Sequence, residues 1–565
     1  MTASLLRSVL STVIAGALLV PAGSALAQTT SGDGATWPVY ARTLSGHRYS
    51  PLTQISTANV NTLGTAWKNV LGPPIGMEAT PIVIHGVMFV TTGKSAVYAL
   101  DAKTGKKLWS YVYPLSPAAF PHSCCNYDNR GVTPFGNTVV MGTLDAHLVA
   151  LDQKTGKVVW NTTVANVNDA YTITSPPLPV KNMLITGVGG GEFPTRCFIA
   201  AYDGATGKLL WKHYTIPSKG EPGYDTWGIP GNAERGGGAT WLPGAYDAKT
   251  NTLYWGVGNP NPDWDPNGIK GSLLYTSSML ALNADTGAMK WYYQFTPHNF
   301  YDYDAVGQPV LADIPIAGKR VPALVQADRN GYLYVLNRHT GKLVYAVQYL
   351  DKVNWASVSR DGVITINRQQ LATAKAHKPF ALYPAVIGGA NWEPPAYDPV
   401  HHLLFVPALE SWQTVTPEKT VDLHPKKGAL NFGGLPGGPG AFAGSISAWD
   451  LTTGTKVWKH HFRSPAFGGA LATKGGLVFV GEMDGKLDAF DELTGKELWS
   501  APTGSGITAP PISYLLGGKQ YIAVSVGQGG VFPLVFLPFT PWLKNVPPTS
   551  AVFTYALPAT TASAQ

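Results

Sequence analysis

Charged side chains are scarce in this sequence: Asp, Glu, Lys and Arg supply 13% of its 565 residues, where ordinary globular chains carry about 25%. The 41 basic and 34 acidic residues leave a net charge of +7. No basic run is long enough to follow a phosphate backbone, which argues against nucleic acid and for a solvated surface with at most a mild preference for acidic partners. Cysteine is nearly absent, with three residues, and no Cys-x-x-Cys-His occurs. Neither a covalently attached haem nor a fused cytochrome domain is therefore expected. Long apolar runs are missing too. The best, Val9 to Val20, is shorter than the ~20 residues of a spanning helix, so no membrane span is expected in the mature chain.

That run follows Arg7 and ends in Ala25-Leu26-Ala27, the small-x-small pattern of an export leader. Residues 1–27 are expected to be a signal peptide and 28–565 one domain exported to an oxidising compartment. The chain is rich in Gly (63), Pro (45), Trp (17) and Tyr (26), a composition of turns and aromatic strands rather than of helical bundles. Its length exceeds that of a common single core and requires several domains or one closed repeat.

A repeat decides between these. The segment from Tyr98 to Trp109, YALDAKTGKKLW, recurs in copies ending at Trp160, Trp211, Trp291, Tyr345, Trp458 and Trp499, with weaker copies near Trp255 and Phe405. Each copy alternates apolar and polar residues on both sides of a loop of the Asp-x-x-Thr-Gly type, whose Gly can take the positive φ that closes a hairpin. One hairpin cannot bury its own faces. Its terminal Trp packs against the next copy, and repetition continues until a ring closes and no sheet edge is left exposed. Nine candidate hairpins, not all of them separate blades, predict seven or eight blades, with eight preferred. The expected fold is all-β, a single eight-bladed β-propeller with Trp-docking repeats. Val353 to Gly388 and the Gly-rich run Leu430 to Gly440 read as insertions, and AVFTYAL, from Ala551, as the strand that could close the ring.

Some residues are not needed by such a repeat. Cys124 and Cys125 are adjacent in PHSCCNYDNRG. In an oxidising compartment a bridge between them, closing a very small ring, is favoured over two buried thiols beside Cys197. Further motifs lie outside the turns: GMEATP (76–81), YTIT (171–174), GGGE (189–192), GGATW (237–241), YWGVGNP (254–260), YDYD (301–304), ADRNGYLYVLNR (327–338) and GGANW (388–392). In this order, from about Trp37 to Gly530, they resemble the quinoprotein alcohol dehydrogenases, the methanol and ethanol dehydrogenases that use pyrroloquinoline quinone (PQQ).

The resemblance implies a role for each position. Cys124-Cys125 would form a vicinal disulfide on one face of the quinone and Trp241 would stack on the other, since a flat cofactor needs flat walls. Arg130 would clamp a PQQ carboxylate through paired hydrogen bonds. Glu78, Thr174, Gly189, Gly190, Gly191, Arg329 and Asn391 would complete the cofactor site. Glu192, Asn259 and Asp302 match metal ligands, a hard oxygen set suited to an ion like Ca²⁺ rather than Zn²⁺. Asp302 matches the catalytic base and Arg329 the cation beside the reacting carbonyl.

Asp304 stands two residues after the base, where the lanthanide-dependent branch of the family has a further carboxylate. A trivalent ion gains from that extra charge, and β-strand alternation would put Asp302 and Asp304 on one side. A lanthanide is thus favoured over Ca²⁺. The expected activity is oxidation of a small primary alcohol to the aldehyde in the periplasm, with electrons leaving to a separate c-type cytochrome and a homodimer left open. Departures from the family at Gly191, Tyr301, Arg360–Ala372 and Gly529–Trp542 leave the preferred alcohol open. Two other readings are a non-catalytic propeller of the outer-membrane assembly type, which has no need of Cys124-Cys125, GGGE or YDYD, and a dehydrogenase of polymeric alcohols, which would share the cofactor residues.

Overall fold

A computed structural model describes residues 34–228, 231, 233–268, 270–422, 425–530 and 536–558. The expected leader, part of Gly529–Trp542 and the last residues of the tail lie outside them. Among the described residues, eight antiparallel four-strand arrays follow one another along the chain, with first strands opening at Ile82, Thr133, Leu178, Ala245, Val310, Ala396, Ala470 and Ile512. The eighth takes strands from both ends of the chain: Ala551–Ala556 pairs with Lys519–Val526 on one side and with Gly64–Val70 on the other.

The repeat forms the last hairpin of the first seven arrays because its Asp, or Asn at Asn283 and Asn337, caps its own turn. Asp101 Oδ1 accepts hydrogen bonds from the Thr104 amide (2.8 Å), the Thr104 hydroxyl (2.8 Å) and the Lys103 amide (3.0 Å), and Gly105 follows at φ +73°. Asp152, Asp203 and Asp491 repeat this pattern. The turn glycine also meets the preceding array. A Cβ on Gly156 would stand 2.6 Å from the ring of Trp109, whose indole N–H donates to Gln153 O at 3.0 Å. Trp211, Trp291 and Trp458 donate likewise to Ala284, Arg338 and Glu492 carbonyls. Trp499 reaches Leu63 near the N-terminus. Second and third strands such as Val87–Thr92 and Ala96–Asp101 are buried almost throughout, whereas the fourth, Lys107–Val112, alternates.

The two weaker repeat copies are not separate units. They are the first hairpins, Ala245–Asp247 with Thr252–Gly256 and Ala396–Asp398 with Leu403–Pro417, of arrays whose last hairpins carry full copies. The Gly-rich run expected as an insertion is largely strand. Gly434–Asp450 pairs with Leu403–Pro417 except at a bulge between Gly437 and Gly440, and this partner supplies the hydrogen bonds that the glycines alone would not secure. Val353 to Gly388 is an insertion with local structure: a ribbon (Ala356–Val358 with Ile364–Ile366), an α-helix Arg368–Lys375 capped by Asn367, and Phe380–Leu382 added to the edge of Leu403–Pro417.

Candidate functional site

In a meander, connections between arrays and turns between second and third strands emerge on one side, and first-to-second and third-to-fourth turns on the other. Every expected site residue lies on the first side. Cys124, Cys125, Arg130, Thr174, Trp241, Asp302, Asp304 and Asn391 sit in connections between arrays; Gly189 to Glu192, Asn259 and Arg329 sit in second-to-third turns. The Asp-x-x-Thr-Gly turns all lie opposite, so packing motifs and chemistry are separated by topology.

These loops surround a cleft of about 290 Å³. It is lined by Glu78, Cys124, Cys125, Arg130, Thr174, Gly189, Gly190, Glu192, Trp241, Asp302, Asp304, Arg329 and Asn391. Gly191 and Asn259 stand just behind its wall: a Cβ on Gly191 would be 3.4 Å from Asn259 Oδ1. Cys124 and Cys125 are joined as a disulfide.

Asp302 and Asp304 face the same cleft by a route other than the alternation expected. The segment is not a strand. Asp302 adopts the left-handed conformation, φ +63°, and the chain reverses so that the Asp304 amide donates to Asp302 O at 3.2 Å. Arg329 bridges the pair, with Nη1 3.2 Å from Asp302 Oδ1 and Nη2 2.9 Å from Asp304 Oδ2. Asp304 also accepts the Asn259 amide at 2.7 Å and the Trp241 indole N–H at 2.9 Å. Asp304 therefore fixes both the Trp241 indole and the loop of Asn259. Nη2 of Arg329 reaches Asn391 Oδ1 at 3.2 Å.

The electrostatics of this centre fit a cation. Burial, and then the charges of Asp304 and Glu192, hold the Asp302 carboxyl well above the usual carboxylate range against the opposing pull of Arg329. Burial and Asp304 push Glu192 up to about 7. Carboxylates that raise one another in this way are returned to the ionised form by a bound metal, and the donors are all oxygen, which fits a hard ion. At the other end of the cleft, Arg130 pairs with Glu78 at 2.7 Å, yet its Nε and Nη1, like Nε of Arg329, are buried without a partner among the described residues. Unused guanidinium donors in a cleft fit the carboxylates of an anionic cofactor.

Six neighbours, among others, escaped the sequence reading. Asp263 hydrogen-bonds Asn259 at 2.6 Å. Glu393 accepts the Asn391 amide at 2.8 Å. Trp264, Phe432, Leu435 and Pro436 form an apolar rim. The only signal for the first two was a buried acid close to a quoted motif, and the rim residues sit in or beside the run read as an insertion.

A cleft with guanidinium donors, an indole and a vicinal disulfide beside clustered buried carboxylates fits the class of quinone-dependent dehydrogenases. Comparison with known proteins agrees. Residues 37–352 and 459–522 match the family described as PQQ glucose/ethanol/alcohol dehydrogenase, beta-propeller domain. The chain is 40% identical over 520 residues to the quinoprotein alcohol dehydrogenase PedH of Pseudomonas putida, covering 87% of this chain and 86% of that protein. Among solved structures it resembles the quinohemoprotein alcohol dehydrogenase ADHIIG of Pseudomonas putida HK5 (TM-score 0.89, 36% identity, covering 93% of this chain and 81% of that one). It also resembles a europium-containing methanol dehydrogenase (TM-score 0.85, 31% identity, covering 93% and 98%). The chain belongs to the PQQ-dependent alcohol dehydrogenase family.

Proposed function

We propose that this protein oxidises primary alcohols to aldehydes in the periplasm with PQQ and one metal ion, a lanthanide in preference to Ca²⁺, and passes the electrons to a separate c-type cytochrome. The eight strand arrays are read as eight blades closed into one domain over 28–565, docked by the Trp-to-glycine contacts and preceded by a signal peptide. The observation that carries the functional reading is the convergence of Glu192, Asp302 and Asp304 on one cleft, with Asn259 directly behind, Arg329 bridging the two aspartates, and Cys124-Cys125 and Trp241 in the same walls.

When bound, PQQ with its metal supplies an electrophilic carbonyl that accepts a hydride and so takes up two electrons. The residues of the chain do the rest. Glu192, Asn259, Asp302 and Asp304 are the residues that would hold the metal, through oxygen atoms. Arg130 and Arg329 would donate to carboxylate and carbonyl oxygens of PQQ. Asp302, ionised once a cation balances its neighbours, takes the hydroxyl proton of the alcohol. Trp264, Phe432 and Leu435 line the approach with apolar surface and keep water from the alcohol carbon.

The test is dye-linked oxidation of methanol and ethanol by purified protein loaded with PQQ, comparing Ca²⁺ with La³⁺, for the wild type and Asp304→Ala. Turnover with La³⁺ that disappears in Asp304→Ala supports the whole reading. Turnover with Ca²⁺ alone removes the lanthanide from it. No turnover with either ion, and no quinone absorbance, returns the protein to the scaffold reading.

A further inference from the structure

The fourth and sixth arrays open on the same three residues, Ala-Tyr-Asp, at Ala245–Asp247 and Ala396–Asp398. Each Asp ends the first strand and caps the turn that follows: Asp247 Oδ1 accepts the Lys249 amide at 2.9 Å, and Asp398 Oδ1 the Val400 amide at 2.8 Å. Each also meets the last-hairpin turn of the next array. At the first junction the residue after the turn-capping Asn337 is Arg338, whose Nε stands 3.0 Å from Asp247 Oδ2. At the second the corresponding residue is Glu492, so an acid stands where the other junction has a guanidinium. Of the seven full repeat copies this one alone has an acid at that position; the others have Ala102, Gln153, Gly204, Ala284, Arg338 and Leu451. Docking uses only the backbone there: the Glu492 carbonyl accepts the Trp458 indole N–H at 2.8 Å, and the Glu492 amide donates to Gly476 O at 3.0 Å. The repeat has no need of the carboxylate.

Three ligand atoms converge where that guanidinium would lie. His401 Nδ1 is 2.7 Å from Asp398 Oδ2 and 3.4 Å from Glu492 Oε1, and one atom from each residue lies within 4.8 Å of the other two. Asp398 is 1% and Glu492 6% exposed, and Glu492 Oε2 is buried with no hydrogen-bond partner among the described residues. Among those residues no Lys or Arg pairs with either acid. The His401 side chain is half exposed, which leaves a path from solvent. One imidazole nitrogen with two carboxylates is a donor set for Zn²⁺. Metal bonds of about 2.0–2.2 Å put tetrahedral neighbours about 3.3–3.5 Å apart, so Glu492 already stands at the required separation from His401 and Asp398 has to yield by about 0.6 Å.

We propose that Asp398, His401 and Glu492 bind a divalent transition ion of the Zn²⁺ class, which clips the sixth array to the seventh on the side opposite the cleft and fills the place that Arg338 takes between the fourth and fifth.

The experiment titrates Zn²⁺ into the full protein loaded with PQQ and La³⁺, followed by calorimetry, with Co²⁺ absorbance as a second probe. His401→Ala removes a half-exposed side chain, and Glu492→Gln keeps the shape of a buried one. The wild type is expected to take up one equivalent of Zn²⁺ more than either variant, to show the visible bands of four-coordinate Co²⁺, and to unfold at a higher temperature when Zn²⁺ is present. Loss of a ligand weakens a metal by more than the about 10- to 100-fold lost with a partner behind a ligand, so in each variant binding falls by about 100-fold or more. The thermal shift disappears with it. Alcohol oxidation and quinone absorbance stay at the wild-type level in both variants, since neither residue lines the cleft. Zn²⁺ uptake and thermal shift that are equal in the wild type and both variants, or a wild type that takes up no Zn²⁺, overturn the proposal.

Discussion

At the scale of single residues, the site is a network in which two acids share one guanidinium but differ in what else holds them. Asp304 is engaged by Trp241, Asn259 and Arg329 at once, whereas Asp302 is more open to the cleft and held by Arg329 alone. Replacement of Asp302 by Asn is therefore expected to lower turnover by about 10²- to 10⁴-fold, with PQQ absorbance retained; wild-type turnover in the variant would remove Asp302 as the base. Glu393 gives a second prediction. Burial pushes its carboxyl from an ordinary 4.5 to about 8, so the fold prefers it protonated. Its contribution to stability is complete below pH 4.5 and is lost as pH rises to about 8, at a slope of up to roughly 1.4 kcal/mol per pH unit. Glu393→Gln keeps the acceptor for the Asn391 amide and is expected to flatten that part of the wild-type curve. Chemical denaturation of both proteins between pH 4.5 and 8 checks it, and parallel curves would refute it.

At the scale of elements, the repeat was legible because its information is local. An Asp that caps its own turn and a Gly at positive φ are properties of a short segment, and the structure shows both at Asp101 and Gly105. Where the expectation failed, the deciding partner was distant in sequence. The glycines from Gly434 to Gly440 become strand only because Leu403–Pro417 lies alongside, and Asp302 leaves the strand pattern because Arg329 binds its carbonyl oxygen from another array. The turn glycines make a prediction at this scale. Gly156→Ala would force a side chain into the left-handed region and against the Trp109 ring, at a cost of about 2–4 kcal/mol. The denaturant midpoint should fall while the metal and PQQ content per folded molecule stays constant. A glycine exposed to solvent, Gly318 at φ +73° with nothing near its Cβ position, should show only the smaller conformational share of that loss.

At the scale of the whole molecule, stability depends on one join. The last array borrows Gly64–Val70 from near the start of the chain, and Ala551–Ala556 lies between it and Lys519–Val526. Removal of residues 551–565 would leave two unpaired strand edges, which are templates for association. The truncated protein is expected to aggregate and to unfold at lower denaturant than the full chain, as read by light scattering and fluorescence. A monomer of unchanged stability would show that the join is dispensable.

By itself the sequence determined the repeat, the turn chemistry and the identity of about half of the cleft residues, because adjacent cysteines, GGGE and YDYD stand out against a pattern that does not need them. It could not reveal that Asp263 holds Asn259, that Asp304 holds Trp241, or that Leu435 and Pro436 line the cleft. Those relations join residues from different arrays or from turns that reverse on themselves. Only the stacking of the arrays, which brings loops from the whole chain to one side, decided them.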